Sequence, residues 1–260
     1  MAPDLDRRFG GIARLYGASG AQHIRAAHIV VVGLGGVGSW AAEAAARSGV
    51  ARLTLIDLDH IAESNINRQV HALDATLGQA KVQAMRERIA QINPDCRVDC
   101  VEEFVDAANW PGILSLDIGF DRKHLAVIDA CDQVKAKTAM AAWAIKNKSI
   151  LISVGAAGGK RLAHRVDIDD LAAVTHDPLL AQMRYRLRKE YGAVRQGKMN
   201  VMCVFSREPV MQPSAEAGHT EEVPTQTDGS LNCRGYGSVV SVTSTFGMCA
   251  ASWVLNKIAG

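Results

Sequence analysis

The tightest constraint on what this chain can fold into is Gly33-Leu34-Gly35-Gly36-Val37-Gly38. This glycine turn lies between the apolar run Ala27-His28-Ile29-Val30-Val31-Val32 and a helix-like segment from Ser39 to Ser48. Strand, glycine turn and helix in that order present backbone N–H groups and the positive end of a helix dipole to a phosphate. Leu53-Thr54-Leu55-Ile56-Asp57 then reads as a second strand with an acid at its tip. A doubly wound sheet holds a ribose hydroxyl at that position. Alone, these features predict a bound nucleotide and point towards a dehydrogenase.

The rest of the chain extends the same alternation. Residues 1–26 read as a helical preface with turns at Gly10-Gly11 and Gly17, and 28–33, 38–48 and 52–57 as strand, helix and strand. Gly78 to Asn93 carries Val82, Met85, Ile89 and Ile92 at helical spacing, and Pro94 stops it. Arg97 to Phe104 alternates as a strand, Leu125 to Asp129 is a short buried one, and Lys135 to Lys146 leads as a helix into a strand over Ser149–Val154. Arg161 to Ile168 reads as a strand of a more antiparallel region. Asp177-Pro178 opens a helix to about Tyr191 with a stripe of Leu179, Met183, Leu187 and Tyr191. Val201 to Phe205 is a further strand candidate, 207–232 a mobile loop or crossover, and 239–258 a closing helix. The expectation is an α/β fold: a Rossmann-like, mostly parallel sheet with helices on both faces, extended by a partly antiparallel C-terminal region.

The 260 residues, 48% hydrophobic, suffice for a full core in one large or two small domains. A formal net charge of +2 supplies no global drive towards nucleic acid, so any RNA contact has to come from local basic patches. Six cysteines without a C-x-x-C pair argue against a zinc cage or a disulfide framework, and a reducing cytosol is the default compartment. No signal peptide is read at the polar N-terminus. The uncharged stretch 235–256 is long enough to cross a bilayer, but its glycines and hydroxyls favour a buried or interface helix, with no stable membrane insertion.

A dehydrogenase has no need of the residues that follow the second strand. Asp57-Leu58-Asp59, Ser64-Asn65-Ile66-Asn67-Arg68-Gln69 and Gly78-Gln79-Ala80-Lys81 set amides, an arginine and a lysine just beyond the strand tips. Such cations suit a triphosphate and its departing pyrophosphate, although singly Arg68 and Lys81 read equally well as a solvated surface pair. Asp129-Ala130-Cys131-Asp132 reaches the same carboxyl edge of the sheet. There Asp132 either holds Mg²⁺ beside the phosphates or caps the next helix.

Together, Gly33–Gly38, Asp57, Ser64-Asn65, Asn67-Arg68-Gln69, Lys81 and Asp129-Ala130-Cys131-Asp132 resemble the adenylation site of the ubiquitin-activating-enzyme superfamily. The resemblance spans roughly residues 8–155. It implies a single adenylation domain over 1–260 that binds ATP and Mg²⁺. Gly33, Gly35, Gly36, Gly38, Asp57, Asp59, Ser64, Asn65, Asn67, Arg68, Gln69 and Lys81 would lie around the nucleotide. Arg68 and Lys81 would act on the phosphates, and Asp132 would be the metal ligand. In that superfamily an N-terminal arginine reaches the partner subunit's ATP, which implies a homodimer with Arg8 or Arg14 in the role. The sulfur-carrier adenylyltransferases carry paired zinc cysteines that this chain lacks, so no zinc is expected.

That departure directs the resemblance to one branch. Arg8-Phe9-Gly10-Gly11, Arg14-Leu15-Tyr16-Gly17, Gly38-Ser39-Trp40-Ala41-Ala42-Glu43, Asn67 to Leu73, Cys203-Val204-Phe205-Ser206 and Thr245-Phe246-Gly247 are similar to the tRNA threonylcarbamoyladenosine dehydratase family. The resemblance implies an enzyme that activates the threonyl carboxylate of a modified tRNA adenosine and closes it into a ring. It leaves open a cysteine desulfurase or sulfur-relay partner. Cys233, beside Arg234, is the candidate if a thiol takes part, an inert thiol being the default, and Cys131 reads as a packing residue. Arg184, Arg186, Arg188 and Lys189, with Lys160, Arg161, Arg165, Arg195 and Lys198, form either a tRNA surface or ordinary solvated faces. Activation of a ubiquitin-like sulfur carrier, and an NAD-dependent oxidoreductase, stand as the alternative functions.

Overall fold

His28–Val32 (β1) is buried at every position, as a continuous apolar run flanked on both sides by parallel neighbours should be. The structure is a computed structural model that describes residues 4–114, 124–211 and 236–260. β1 pairs in parallel with Arg52–Ile56 (β2) and Leu125–Asp129 (β4), while Arg97–Val101 (β3) lies outside β2. Ile150–Val154 (β5) continues beyond β4, Met202–Ser206 (β7) joins β5 in parallel, and Val166–Asp170 (β6) closes the edge antiparallel to β7. The seven-stranded order β3-β2-β1-β4-β5-β7-β6 reverses direction between β1 and β4. That reversal opens a crevice at the carboxyl ends of these two strands.

Leu5–Arg25 (α1), Gly38–Arg47 (α2), Lys81–Ile92 (α3) and Val240–Ala259 (α6) cover one face of the sheet. Val134–Asn147 (α4) and Pro178–Glu190 (α5) cover the other. Residues 240–256 of the uncharged C-terminal stretch lie in α6, which packs along α2 and α1 and buries Val242, Phe246, Ala250 and Val254. Among the described residues, no helix is long and apolar enough to cross a membrane.

Several boundaries differ from expectation. α1 runs unbroken through Gly10-Gly11 and kinks only at Gly17 (φ 74°, ψ 170°). Burial of Phe9, Ala21 and Ile24 outweighs the roughly 1 kcal/mol that each helical glycine costs. Tyr191 does not continue the α5 stripe: it is 50% exposed, and Leu180 takes the buried place beside Leu179, Met183 and Leu187. Strand pairing begins only at Val166, because Arg161 and Leu162 spend their N–H groups on the Glu208 carboxylate. Of the proposed mobile segment, residues 207–211 are fastened by Arg207 N–H to the Arg165 carbonyl and Met211 N–H to the Gly159 carbonyl. Residues 212–232 lie outside the described residues, as does Cys233.

Candidate functional site

The crevice at the β1/β4 switch opens into a cleft of about 420 Å³. Gly33, Gly35, Gly36, Asp57, Asp59, Asn65, Arg68, Gln69, Lys81 and Asp132 all line it. Its glycine wall is in close contact with neighbours at two places. At Gly33, φ is +85°, and a Cβ there would lie 2.9 Å from the Ala130 carbonyl oxygen, so the turn rests directly on the loop after β4. At Gly36, a Cβ would meet the Arg68 stem at 3.1 Å.

Asp57, just past the tip of β2, is fixed by two backbone N–H groups. Its Oδ2 accepts the Leu34 N–H at 2.5 Å and its Oδ1 accepts the Asp59 N–H at 2.9 Å. The same carboxylate therefore ties the glycine turn to the loop after β2. Burial pushes its pKa above the usual carboxylate value, opposed by Lys81 and by these two N–H groups.

Lys81 opens α3 and is buried, its Nζ 2.7 Å from Asp59 Oδ2, which excludes the solvated-surface reading for this residue. The cation is thus held in the cleft wall between two acids. Arg68 follows the one-turn 3-10 helix Glu63–Asn65. Its Nη1 donates to the Ser64 carbonyl at 2.7 Å and to Asn67 Oδ1 at 2.9 Å. The Arg68 carbonyl accepts from Trp40 Nε1 at 2.9 Å. All three partners fix the arginine and none neutralises it, while partial burial lowers its pKa somewhat. Ser64, Asn67 and Gly38 are outside the lining set; the first two touch Arg68, and Gly38 starts α2. Asn65 is buried with its Oδ1 on the Ala62 N–H, and Gln69 keeps its Oε1 buried without a partner in the cleft wall.

Behind the facing wall lies a buried polar cluster. Lys137 and Asp129 are both fully buried, with Nζ 2.9 Å from Oδ1 and 3.2 Å from the Asp129 carbonyl. Ser153 Oγ donates to Asp129 Oδ2 at 2.6 Å, and Cys131 Sγ to Oδ1 at 3.1 Å. Burial opposes the lysine's charge, but the adjacent carboxylate outweighs it and raises the pKa. Burial and the same carboxylate push the Cys131 thiol well above its usual value, which favours the protonated thiol that donates to Asp129.

Asp132 projects from this loop onto the cleft wall. Among the described residues, no group of three or more His, Cys, Asp or Glu could hold a metal ion. A carboxylate outside any such group suits Mg²⁺ that arrives on phosphate oxygens rather than in a protein cage.

Sequence reading missed part of the wall: Glu103, Phe104 and Val105 after β3, Gly155 to Gly158 after β5, Leu179, Ser238 and Thr243. The run Gly155-Ala156-Ala157-Gly158-Gly159, at a strand tip on the ligand edge, was the available signal. Arg14 is exposed on α1 and does not line the cleft, and Arg8 donates to the Ile92 carbonyl at 2.8 Å in a separate cleft. Lys160 cannot serve a polyanion: it is 2% exposed, with its Nζ bound to the His176 and Glu208 carbonyls.

The ThiF family model matches residues 10–260. The chain is 43% identical over 259 residues to the tRNA threonylcarbamoyladenosine dehydratase of Escherichia coli strain K12, covering 97% of this chain and 93% of that protein. It is 41% identical over 258 residues to the Haemophilus influenzae protein of the same name, covering 98% and 94%. The crystal structure of the E. coli dehydratase in complex with ATP superposes with a TM-score of 0.84 at 42% identity, covering 99% of this chain and 96% of that one.

Proposed function

The chain belongs to the ThiF family and, within it, to the tRNA threonylcarbamoyladenosine dehydratases, and from that premise we propose how its cleft works. The enzyme uses ATP to activate the threonyl carboxylate of threonylcarbamoyladenosine in tRNA, and the side chain then closes into a ring with net loss of water. One observation carries this reading. A glycine turn at a helix N-terminus, an acid just past the tip of β2, an arginine held by neutral groups and a buried lysine converge on one cleft.

A carboxylate is a poor electrophile until one of its oxygens becomes part of a good leaving group, and transfer to the α-phosphate of ATP achieves that. The glycine turn and the N-terminus of α2 would seat the phosphates. Arg68, held at Ser64 and Asn67, meets charge that grows on the departing pyrophosphate without having to reorganise. Lys81, which lines the same cleft, would add to that neutralisation. Mg²⁺, held by Asp132 and phosphate oxygens, would supply further neutralisation. An intramolecular nucleophile completes the ring, so positioning does the remaining work and no protein thiol is required.

The proposal extends to a homodimer in which an N-terminal arginine reaches the partner's nucleotide. Arg8 is tied to the Ile92 carbonyl and Arg14 is exposed, which supports Arg14 in that role. Free cysteines at 96, 100, 131, 203 and 249 fit a reducing, cytoplasmic setting. Activation of a sulfur-carrier protein shares the adenylation step, and substrate dependence separates the two readings. Pyrophosphate and AMP should form from ATP when threonylcarbamoylated tRNA is supplied and not when the same tRNA lacks the modification. Release that ignores the modification would refute the reading.

A further inference from the structure

We propose that the cleft beside α5 grips the tRNA backbone, with Tyr185 stacking on an unpaired base. The inference rests on the tRNA substrate argued above and assigns it a surface. α5 buries Leu179, Leu180, Met183 and Leu187. The adjacent row Ala181, Arg184, Tyr185 and Arg188, joined by Lys189 and Arg195, lines a second cleft of about 470 Å³. Four of those six residues are cations, one is aromatic, and none is acidic.

The arginines are held by neutral groups. Arg184 Nη1 donates to the Leu171 and Val174 carbonyls, both at 2.9 Å. Arg188 donates from Nε to the Val194 carbonyl at 3.3 Å and from Nη2 to the Arg195 carbonyl at 3.2 Å. Carbonyls fix a guanidinium without cancelling its charge, whereas Arg186, outside this cleft, is paired with Glu190. The result is a preorganised positive groove of the kind that tracks phosphates. Tyr185 is 63% exposed beside it, with Lys189 Nζ 5.7 Å from its ring centroid, and an exposed ring among cations is a platform for an unstacked base.

Position completes the argument. Leu179, in the first turn of α5, lines the nucleotide cleft, and Arg188 lies nine residues further along the same helix. At the helical rise this is about 14 Å, so backbone flanking an adenosine in the first cleft comes within reach of the second.

The test measures fluorescence anisotropy of a labelled, unmodified tRNA transcript over a salt series, using the full-length protein. The variants are Tyr185→Ala and the double Lys189→Ala/Arg195→Ala, all at exposed side chains; Arg188 is spared because its bonds support the loop after α5. The double variant should weaken binding and reduce the slope of log affinity against log salt by about two. Tyr185→Ala should weaken binding roughly fivefold or more with the slope unchanged. In turnover, KM for modified tRNA should rise while kcat and KM for ATP hold. Wild-type affinity and slope in both variants would overturn the proposal. A wild-type enzyme that dehydrates tRNA alongside indifferent variants sinks this inference alone; variant-sensitive binding without dehydration sinks the functional reading and leaves the surface standing.

Discussion

Replacing Lys137 with Met removes the cation buried behind the loop that carries Asp132. The pair is fully buried at 2.9 Å, and at an effective dielectric constant near 20 such charges attract by about 6 kcal/mol before desolvation is subtracted. Removing one partner of a buried pair costs about 3–5 kcal/mol, because the other charge stays inside uncompensated. Asp129 keeps two donors, Ser153 Oγ at 2.6 Å and Cys131 Sγ at 3.1 Å, which places the loss near the lower bound. A loss of about 3 kcal/mol lowers Tm by roughly 6–12 °C in a chain of this size. The damage should reach function, since the Ala130 and Cys131 backbone is the floor on which Gly33 rests. Thermal and urea melts of Lys137→Met, with KM for ATP, test the chain of reasoning. Adding Asp129→Asn removes the stranded charge and should recover more than half of the stability. A single variant melting within a degree or two of wild type, or a double variant no better than the single, would refute the ion-pair argument.

Three further outcomes are expected. Arg68→Ala should lower kcat by about 10²–10³ with the melting curve little changed, because the side chain meets leaving-group charge and not the core; wild-type turnover would remove it from the site. Gly36→Ala drives a methyl against the Arg68 stem at 3.1–3.2 Å and Thr243 at 3.3 Å, so KM for ATP should rise; unchanged kinetics would show that Arg68 is not held against the turn. His71 is buried with neither ring nitrogen partnered, and burial, helped by Lys81 and Arg88, pushes its pKa from 6.5 to about 4. The native state therefore binds fewer protons than the unfolded chain between those values. The neutral ring's contribution is complete above pH 6.5 and is lost as pH falls to about 4, a change of roughly 3 kcal/mol. Urea melts across that range should show this loss, and His71→Leu should remove it; an equal pH dependence in the variant would exclude His71 as its origin.

The parallel half of the sheet was legible because fully buried strands leave continuous apolar runs. Leu125–Asp129 matches its expected bounds, and the other parallel strands fall within a few residues of theirs. That one cleft gathers Asp57 and Asp132, just past strand tips, with Lys81, at the start of α3, was legible from their places in the strand–helix alternation. What escaped depends on long-range partners. Lys160 looks like any surface lysine until the carbonyls of His176 and Glu208 close on it, and no local pattern marks Glu208 as the carboxylate that holds 161–162 out of the sheet. The division of labour in the Ser64 to Gln69 run was likewise hidden. Ser64, Asn65, Asn67, Arg68 and Gln69 all read as lying around the nucleotide, whereas Ser64 and Asn67 stand outside the cleft lining and accept hydrogen bonds from Arg68. Lys137 was passed over because a lysine inside a helical stretch carries no sign that it is fully buried.

The central claim is tested most directly by the mass of the modified nucleoside. The protein is incubated with ATP, Mg²⁺ and threonylcarbamoylated tRNA, the tRNA is digested to nucleosides, and the modified adenosine is weighed. The account predicts that it loses the mass of one water in an ATP-dependent manner. An unchanged mass under conditions where ATP is bound would contradict it.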